Sequence, residues 1–147
     1  MPIPPIVADL VRDLFAHPPT LAILGATTLR HRAAYSVPAY LQHHGATILP
    51  VNPRYAGQAI LDRTCASSVV EAIEALPAHA PIDAVVMFRR SEAVADHLSD
   101  LLDAGPTVVW MQLGIRSDSV ANVLEQHGIQ VVQDRCLKVD HARVLGF

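Results

Sequence analysis

The chain has 147 residues, the size of one ordinary domain, and halving it would leave two cores each near the lower limit for independent folding. Apolar residues make up 51% and charged residues 17% of it, which excludes a disordered segment and calls for a substantial buried core. A formal charge of -3 argues against the broad basic face that nucleic acid binding requires.

Asp9, Arg12 and Asp13 interrupt the first apolar stretch, so it reads neither as a secretory leader nor as a membrane-spanning run. The expectation is a soluble, cytoplasmic protein without membrane contact. Cys65 and Cys136 are too few for a disulfide framework or a zinc cage, and reduced thiols follow.

Ile6, Val7, Leu10, Val11, Leu14 and Phe15 share one helical stripe, predicting a helix over Pro4 to Phe15 that ends at His17, Pro18 and Pro19. Thr20 to Gly25 is the first strand, and the loop from Ala26 to Arg32 leads into a helix from Ala34 to His44. Gly45 stops that helix, with Pro38 as a first-turn residue or a local kink. Thr47 to Val51 is the second strand, followed by the turn Asn52-Pro53-Arg54-Tyr55. Ser68 and Glu71 have capping-box spacing for a helix over Val69 to Leu76.

Ile82 to Phe88 is the third strand, and Ser91 is placed to cap a helix carrying Val94, Leu98, Leu101 and Leu102. Thr107 to Met111 is the fourth strand. Ser117 caps a helix running to His127, Gly128 ends it, Ile129 to Val132 is the fifth strand, and Lys138 to Leu145 closes the chain as a helix. Five strands separated by helical crossovers predict an α/β fold: a Rossmann-like, doubly wound and mostly parallel sheet with helices on both faces. We read residues 1–147 as one domain, with 1–17 as a helix packed on it; a flavodoxin-like strand order stays open.

Ligands in such sheets bind at the carboxyl ends of the strands. Seven of the eleven basic residues, Arg30, Arg32, Arg54, Arg89, Arg90, Arg135 and Lys138, follow predicted strands and so fall on that edge. Ten of the eleven are arginine, whose planar fork suits phosphate. Loops are also simply wet, which accounts for any one arginine. Gly25 permits a tight turn, and Thr27 and Thr28 offer hydroxyls near a helix start, although GATTLR lacks both the dinucleotide fingerprint and the Walker A pattern. After the second strand no acid stands ready for ribose hydroxyls; Arg54 there favours a phosphorylated ribose, as in NADP or the 3'-phospho-ADP of coenzyme A. A surface turn is the plain alternative.

The segments TLAILGAT, ILPVNPRY, VVMFRRSEAV, VVWMQLGI and VVQDRC, in this order, resemble the CoA-binding domain family of small bacterial proteins. They are more distantly similar to the nucleotide domain of the succinyl-CoA synthetase alpha subunit. The resemblance implies a site for coenzyme A or acyl-CoA. It sets Gly25, Ala26, Thr27, Arg30 and Arg32 near phosphates, Asn52, Pro53 and Arg54 at the adenosine end, Phe88, Arg89 and Arg90 over the nucleotide, and Gln112 in the next loop. Ala33 and Ala34 stand where the family commonly has proline and serine, and Leu137 where it often has proline.

The expected function is therefore a non-catalytic module holding the nucleotide end of the ligand, with a protein partner unidentified. The alternatives are a small NADP-dependent oxidoreductase, a CoA-transferring component acting with a partner chain, or a structural or regulatory partner with a vestigial pocket. Eight histidines show no metal-ligand spacing, and His97 with Asp96 and Asp100 reads as a solvated helix face. No Ser, His and acid set marks a nucleophile. Cys136 is either a core thiol or a reactive one beside Arg135, and Trp110 is either core or a stacking platform, with core preferred.

Overall fold

The computed structural model describes residues 2–77 and 81–147. Successive residues of a strand point to opposite faces, so Leu21 and Ile23 enter one core while Ala22 and Leu24 enter the other. The same alternation sends Val86 and Trp110 to the first core and Met87 and Met111 to the second. A sheet that is apolar on both faces must be covered twice.

The strands are β1 (Thr20–Leu24), β2 (Thr47–Val51), β3 (Ala59–Ile60), β4 (Arg63–Thr64), β5 (Ala84–Met87), β6 (Val108–Met111) and β7 (Gln130–Val132). Five form one parallel sheet in the order β2-β1-β5-β6-β7, and β3 and β4 make a separate antiparallel hairpin. The helices are α1 (Pro5–Leu14), α2 (Ala33–His43), α3 (Val69–Glu74), α4 (Leu98–Ala104), α5 (Asp118–Gln126) and α6 (Leu137–Leu145). Side chains of α1, α2 and α6 build the first core, and those of α3, α4 and α5 the second. The doubly wound, Rossmann-like α/β expectation is met. Trp110 is wholly buried, and its indole N–H donates to the Arg135 carbonyl at 2.7 Å; it is a core residue.

The five-stranded order β2-β1-β5-β6-β7 is flavodoxin-like, and one bridge extends it beyond β2. Ala66 pairs in parallel with Val51 outside β2, donating to the Pro50 carbonyl at 3.0 Å and accepting from the Asn52 N–H at 2.9 Å. It sits where the third strand of a dinucleotide-binding domain would lie, but is a bridge at Ala66 and not a strand.

Two local expectations need correction, and one element lies outside them. Pro38 lies inside α2, beyond the first turn, with its ring buried. Ser91 caps nothing: Ser91–His97 is a 3-10 helix, and the Ser91 hydroxyl instead accepts from the Arg116 N–H at 2.9 Å and contacts the Gly114 carbonyl at 3.3 Å. The hairpin was not foreseen, because its turn residues Leu61 and Asp62 adopt φ of 50° and 73° without the Asn-Gly signature of such turns. Gln42 holds that turn from α2, donating to the Leu61 carbonyl at 2.9 Å.

Candidate functional site

The chain leaves β1 toward β2 on one side and pairs with β5 on the other, so the order reverses at β1 and opens a crevice at its carboxyl end. Gly25 sits at that point with φ of 99°. A β-carbon there would stand 2.9 Å from the Phe88 carbonyl oxygen and 3.3 Å from Arg89 Cδ, so only glycine lets the loops after β1 and β5 touch. The N–H groups of Gly25 and Ala26 donate to the Val51 carbonyl at 2.8 and 3.3 Å, and the Phe88 N–H donates to Leu24 at 2.8 Å.

Asn52 locks the third loop onto the first. Its Nδ2 donates to the Ala26 carbonyl at 2.9 Å and its Oδ1 accepts from the Arg54 N–H at 3.0 Å. The residue is buried, so its amide acts by positioning its neighbours. Pro53 begins the short 3-10 turn Pro53–Tyr55, which carries Tyr55 to the β1 loop: the Thr27 hydroxyl donates to the Tyr55 oxygen at 3.4 Å and accepts from the Leu29 N–H at 3.1 Å. The Thr27 hydroxyl lowers the Tyr55 pKa most, burial opposes it, and Thr28 and the guanidinium groups of Arg54 and Arg32 add to the lowering. Arg32 and Arg54, from different crossovers, therefore both bear on one phenol. Tyr55 was the missed residue; its only signal was its place at the end of the NPRY turn.

Arg32 occupies the N-cap position of α2 without a capping side chain, and the first turn of α2 holds no acid. Its uncapped amides and dipole face the loop that carries Arg30, whose guanidinium lies 5.7 Å from the Tyr35 ring centre, and Arg32. Arg54 stacks similarly, 5.8 Å from the Tyr55 ring centre. Arg89 lies across Gly25, and its buried Nε has no hydrogen-bond partner among the described residues.

Other expected members of the edge have different destinations. Arg90 is 86% exposed and lies 3.5 Å from Glu92. Gln112 is buried; its Oε1 accepts from the Leu137 N–H at 3.0 Å and its Nε2 approaches Cys136 Sγ at 3.7 Å. It closes the start of α6. Arg135 is claimed by Asp140, through Nε at 2.6 Å and Nη2 at 3.0 Å, which corrects its assignment to a free basic edge. Lys138 rests over the Tyr40 ring of α2 at 5.3 Å. Asp100 is no solvated-face residue: it caps α3 by accepting from the Val69 and Val70 N–H groups at 2.7 and 3.0 Å. His97 is half-buried beside it, and burial first, then Arg89, lowers its pKa.

The assembled surface thus presents two backbone loops pinned by Asn52, an uncapped helix start and arginines from three crossovers, an arrangement suited to anionic oxygen. No helix among the described residues is long and apolar enough to cross a membrane. The chain is 27% identical over 132 residues, 90% of its length and 92% of the other's, to the uncharacterized protein YneT of Bacillus subtilis (strain 168). Among solved structures it is similar to the protein of cell-free ID.343 from Thermus thermophilus, with 36% identity, a TM-score of 0.85 and coverage of 93% of this chain and 98% of that one. It is also similar to a hypothetical protein from Pyrococcus horikoshii OT3, with 27% identity, a TM-score of 0.84 and coverage of 99% and 97%. Residues 19–142, which hold every part of this crevice, match the CoA binding domain family, and the chain belongs to that family.

Proposed function

We propose that the protein binds coenzyme A or an acyl-CoA through its nucleotide end and performs no chemistry of its own. The observation that carries this reading is the convergence at the β1 switch point: the Gly25–Phe88 contact, the uncapped and acid-free start of α2 after Arg30 and Arg32, and Arg54 stacked on Tyr55, whose phenol the Thr27 hydroxyl reaches. Backbone amides and the helix dipole stabilise phosphate oxygens, and arginine forks add charge-assisted hydrogen bonds. The turn after β2 holds Asn52, Pro53 and Arg54, with no carboxylate to accept from a bare ribose. That favours a ribose carrying phosphate and disfavours NAD. In this reading Gly25, Ala26, Thr27, Arg30 and Arg32 attend the phosphates, Pro53 and Arg54 the adenosine end, and Phe88, Arg89 and Arg90 the nucleotide, while Asn52 and Gln112 hold the loops in place.

Thermal shift with CoA, acetyl-CoA, dephospho-CoA, NADP, NAD and ATP tests it, since a ligand selective for the folded state stabilises by about 2.7 kcal/mol at a hundred times its Kd. CoA and acetyl-CoA should give the largest shifts. Dephospho-CoA should give less, and Arg54→Ala should remove the difference. A protein that responds to NADP more than to CoA, or to none of the six, does not have this function.

A further inference from the structure

We propose that two copies of this chain pair through the open edge of the sheet, β7 against β7, antiparallel about a twofold axis at Val131. The two ends of the sheet differ. At β2 the edge is bridged by Ala66, whereas among the described residues β7 has β6 on one side and no strand on the other. The Gln130 N–H donates inward to the Thr107 carbonyl at 3.1 Å. Backbone groups alternate along a strand, so the N–H and C=O of Val131, the C=O of Ile129 and the N–H of Gln133 point outward.

Those four groups are self-complementary. In an antiparallel pairing centred on Val131, the two Val131 residues exchange N–H and C=O, and each Gln133 N–H meets the Ile129 carbonyl of the second copy. The Ile129 N–H is not needed, and it is already taken by the Leu124 carbonyl at 3.1 Å. Neither proline nor lysine, the usual guards of an exposed edge, occurs between Ile129 and Gln133.

The surroundings fit the same occupant. A groove of about 760 Å³ runs between β7 and α1, lined by Ile6, Val7, Leu10, Ile129 and Val131. Ile6 is 79% exposed there, an apolar side chain that a second copy covers. Glu125 and Arg116 both line the groove; the Glu125 carbonyl accepts from the Gly128 N–H at 3.0 Å, before β7, and the carbonyl of Ile115, next to Arg116, accepts from the Asp134 N–H at 3.1 Å, after β7. An antiparallel pairing reverses the second strand, so it brings Glu125 of each copy to the end where Arg116 of the other lies. Arg116 lies 3.4 Å from an exposed Asp118 of its own chain, a contact weak enough to exchange. A parallel pairing would set like charges together. Symmetric, isologous closure of this kind is the commonest form of homodimer.

Sedimentation equilibrium on the full chain tests the proposal without any ligand, so its outcome is separable from that of CoA binding. The wild type should show twice the mass of one chain. Ile6→Glu and Val131→Pro should shift it to the monomer; Val131→Pro removes an outward N–H at the cost of Val131 packing on the second core, whereas Ile6→Glu alters an exposed side chain and serves if the proline variant misfolds. Glu125→Arg should weaken the dimer about tenfold or more by opposing like charges at both ends. Adding Arg116→Glu should restore it. A wild type that stays monomeric, a dimer that none of these variants weakens, or a charge swap that fails to restore pairing overturns the proposal.

Discussion

Gly25 and Phe88 touch backbone to backbone: a β-carbon on Gly25 would lie 2.9 Å from the Phe88 carbonyl oxygen. Two crossovers that are far apart in the chain are thereby brought against each other at the strand where the sheet reverses. The φ of 99° adds a second reason for glycine. Gly25→Ala should lose about 1–3 kcal/mol from backbone strain, with more from the clash, and CoA affinity should fall with it. Urea denaturation and calorimetric titration measure the two effects; an alanine variant with unchanged stability would show that the loops move apart freely.

Asn52 joins Ala26 to Arg54 through opposite ends of one buried amide. Asn52→Ala leaves the Ala26 carbonyl and the Arg54 N–H without that partner and should cost about 1–3 kcal/mol. Asn52→Asp keeps the acceptor but loses the donor, so it should restore the Arg54 contact and not the Ala26 one. If both variants bind CoA like the wild type, Asn52 does not position the site.

Arg135 and Asp140 form a two-pronged pair in which the Asp140 side chain is only 3% exposed. Arg135→Leu leaves that carboxylate buried and uncompensated, for an expected loss of about 3–5 kcal/mol. The double variant Arg135→Leu with Asp140→Leu should be markedly more stable than the single one, as chemical denaturation can establish. CoA affinity of the double variant should stay close to wild type, because this arginine is directed into the fold.

His141 is buried, with Nδ1 2.9 Å from the Tyr40 hydroxyl and its ring 4.5 Å from Phe15. Burial lowers its pKa first and the neighbouring His44 adds to this; burial and Arg89 lower that of His97. The unfolded chain takes up these protons near pH 6.5, before the folded one does. Stability is therefore fully present above that pH and falls as pH drops through it toward the folded values. Denaturation midpoints between pH 7.5 and 5.5 should show this decline (a range set by the ordinary histidine pKa of about 6.5), and His141→Phe should make it shallower. An identical slope in the variant would remove His141 as a contributor.

The strands were legible because TLAIL, AVVM and VVWM are apolar on both faces, a pattern that a sheet covered twice imposes on each strand by itself. The caps at Ser68 and Ser117 were legible for the same local reason: each accepts from an N–H three residues on, Glu71 at 3.0 Å and Val120 at 3.4 Å. Ser91 shows where that logic stops. Its hydroxyl met a loop more than twenty residues away instead of the nearby amides, and the segment became a 3-10 helix.

For the candidate site, the sequence by itself determined which residues follow each strand and hence which side chains are available at the carboxyl edge, because alternation of strand and helix sends every such turn to the same end. Only the tertiary structure decided their destinations. Arg54 stacks on Tyr55, Arg90 turns out to Glu92, Arg135 folds back onto Asp140, and the main sheet takes the order β2-β1-β5-β6-β7 with a bridge at Ala66 beyond β2. A long, flexible guanidinium takes the best acceptor within reach, and which acceptors are within reach depends on elements distant in the chain, which hydrophobic patterning does not encode.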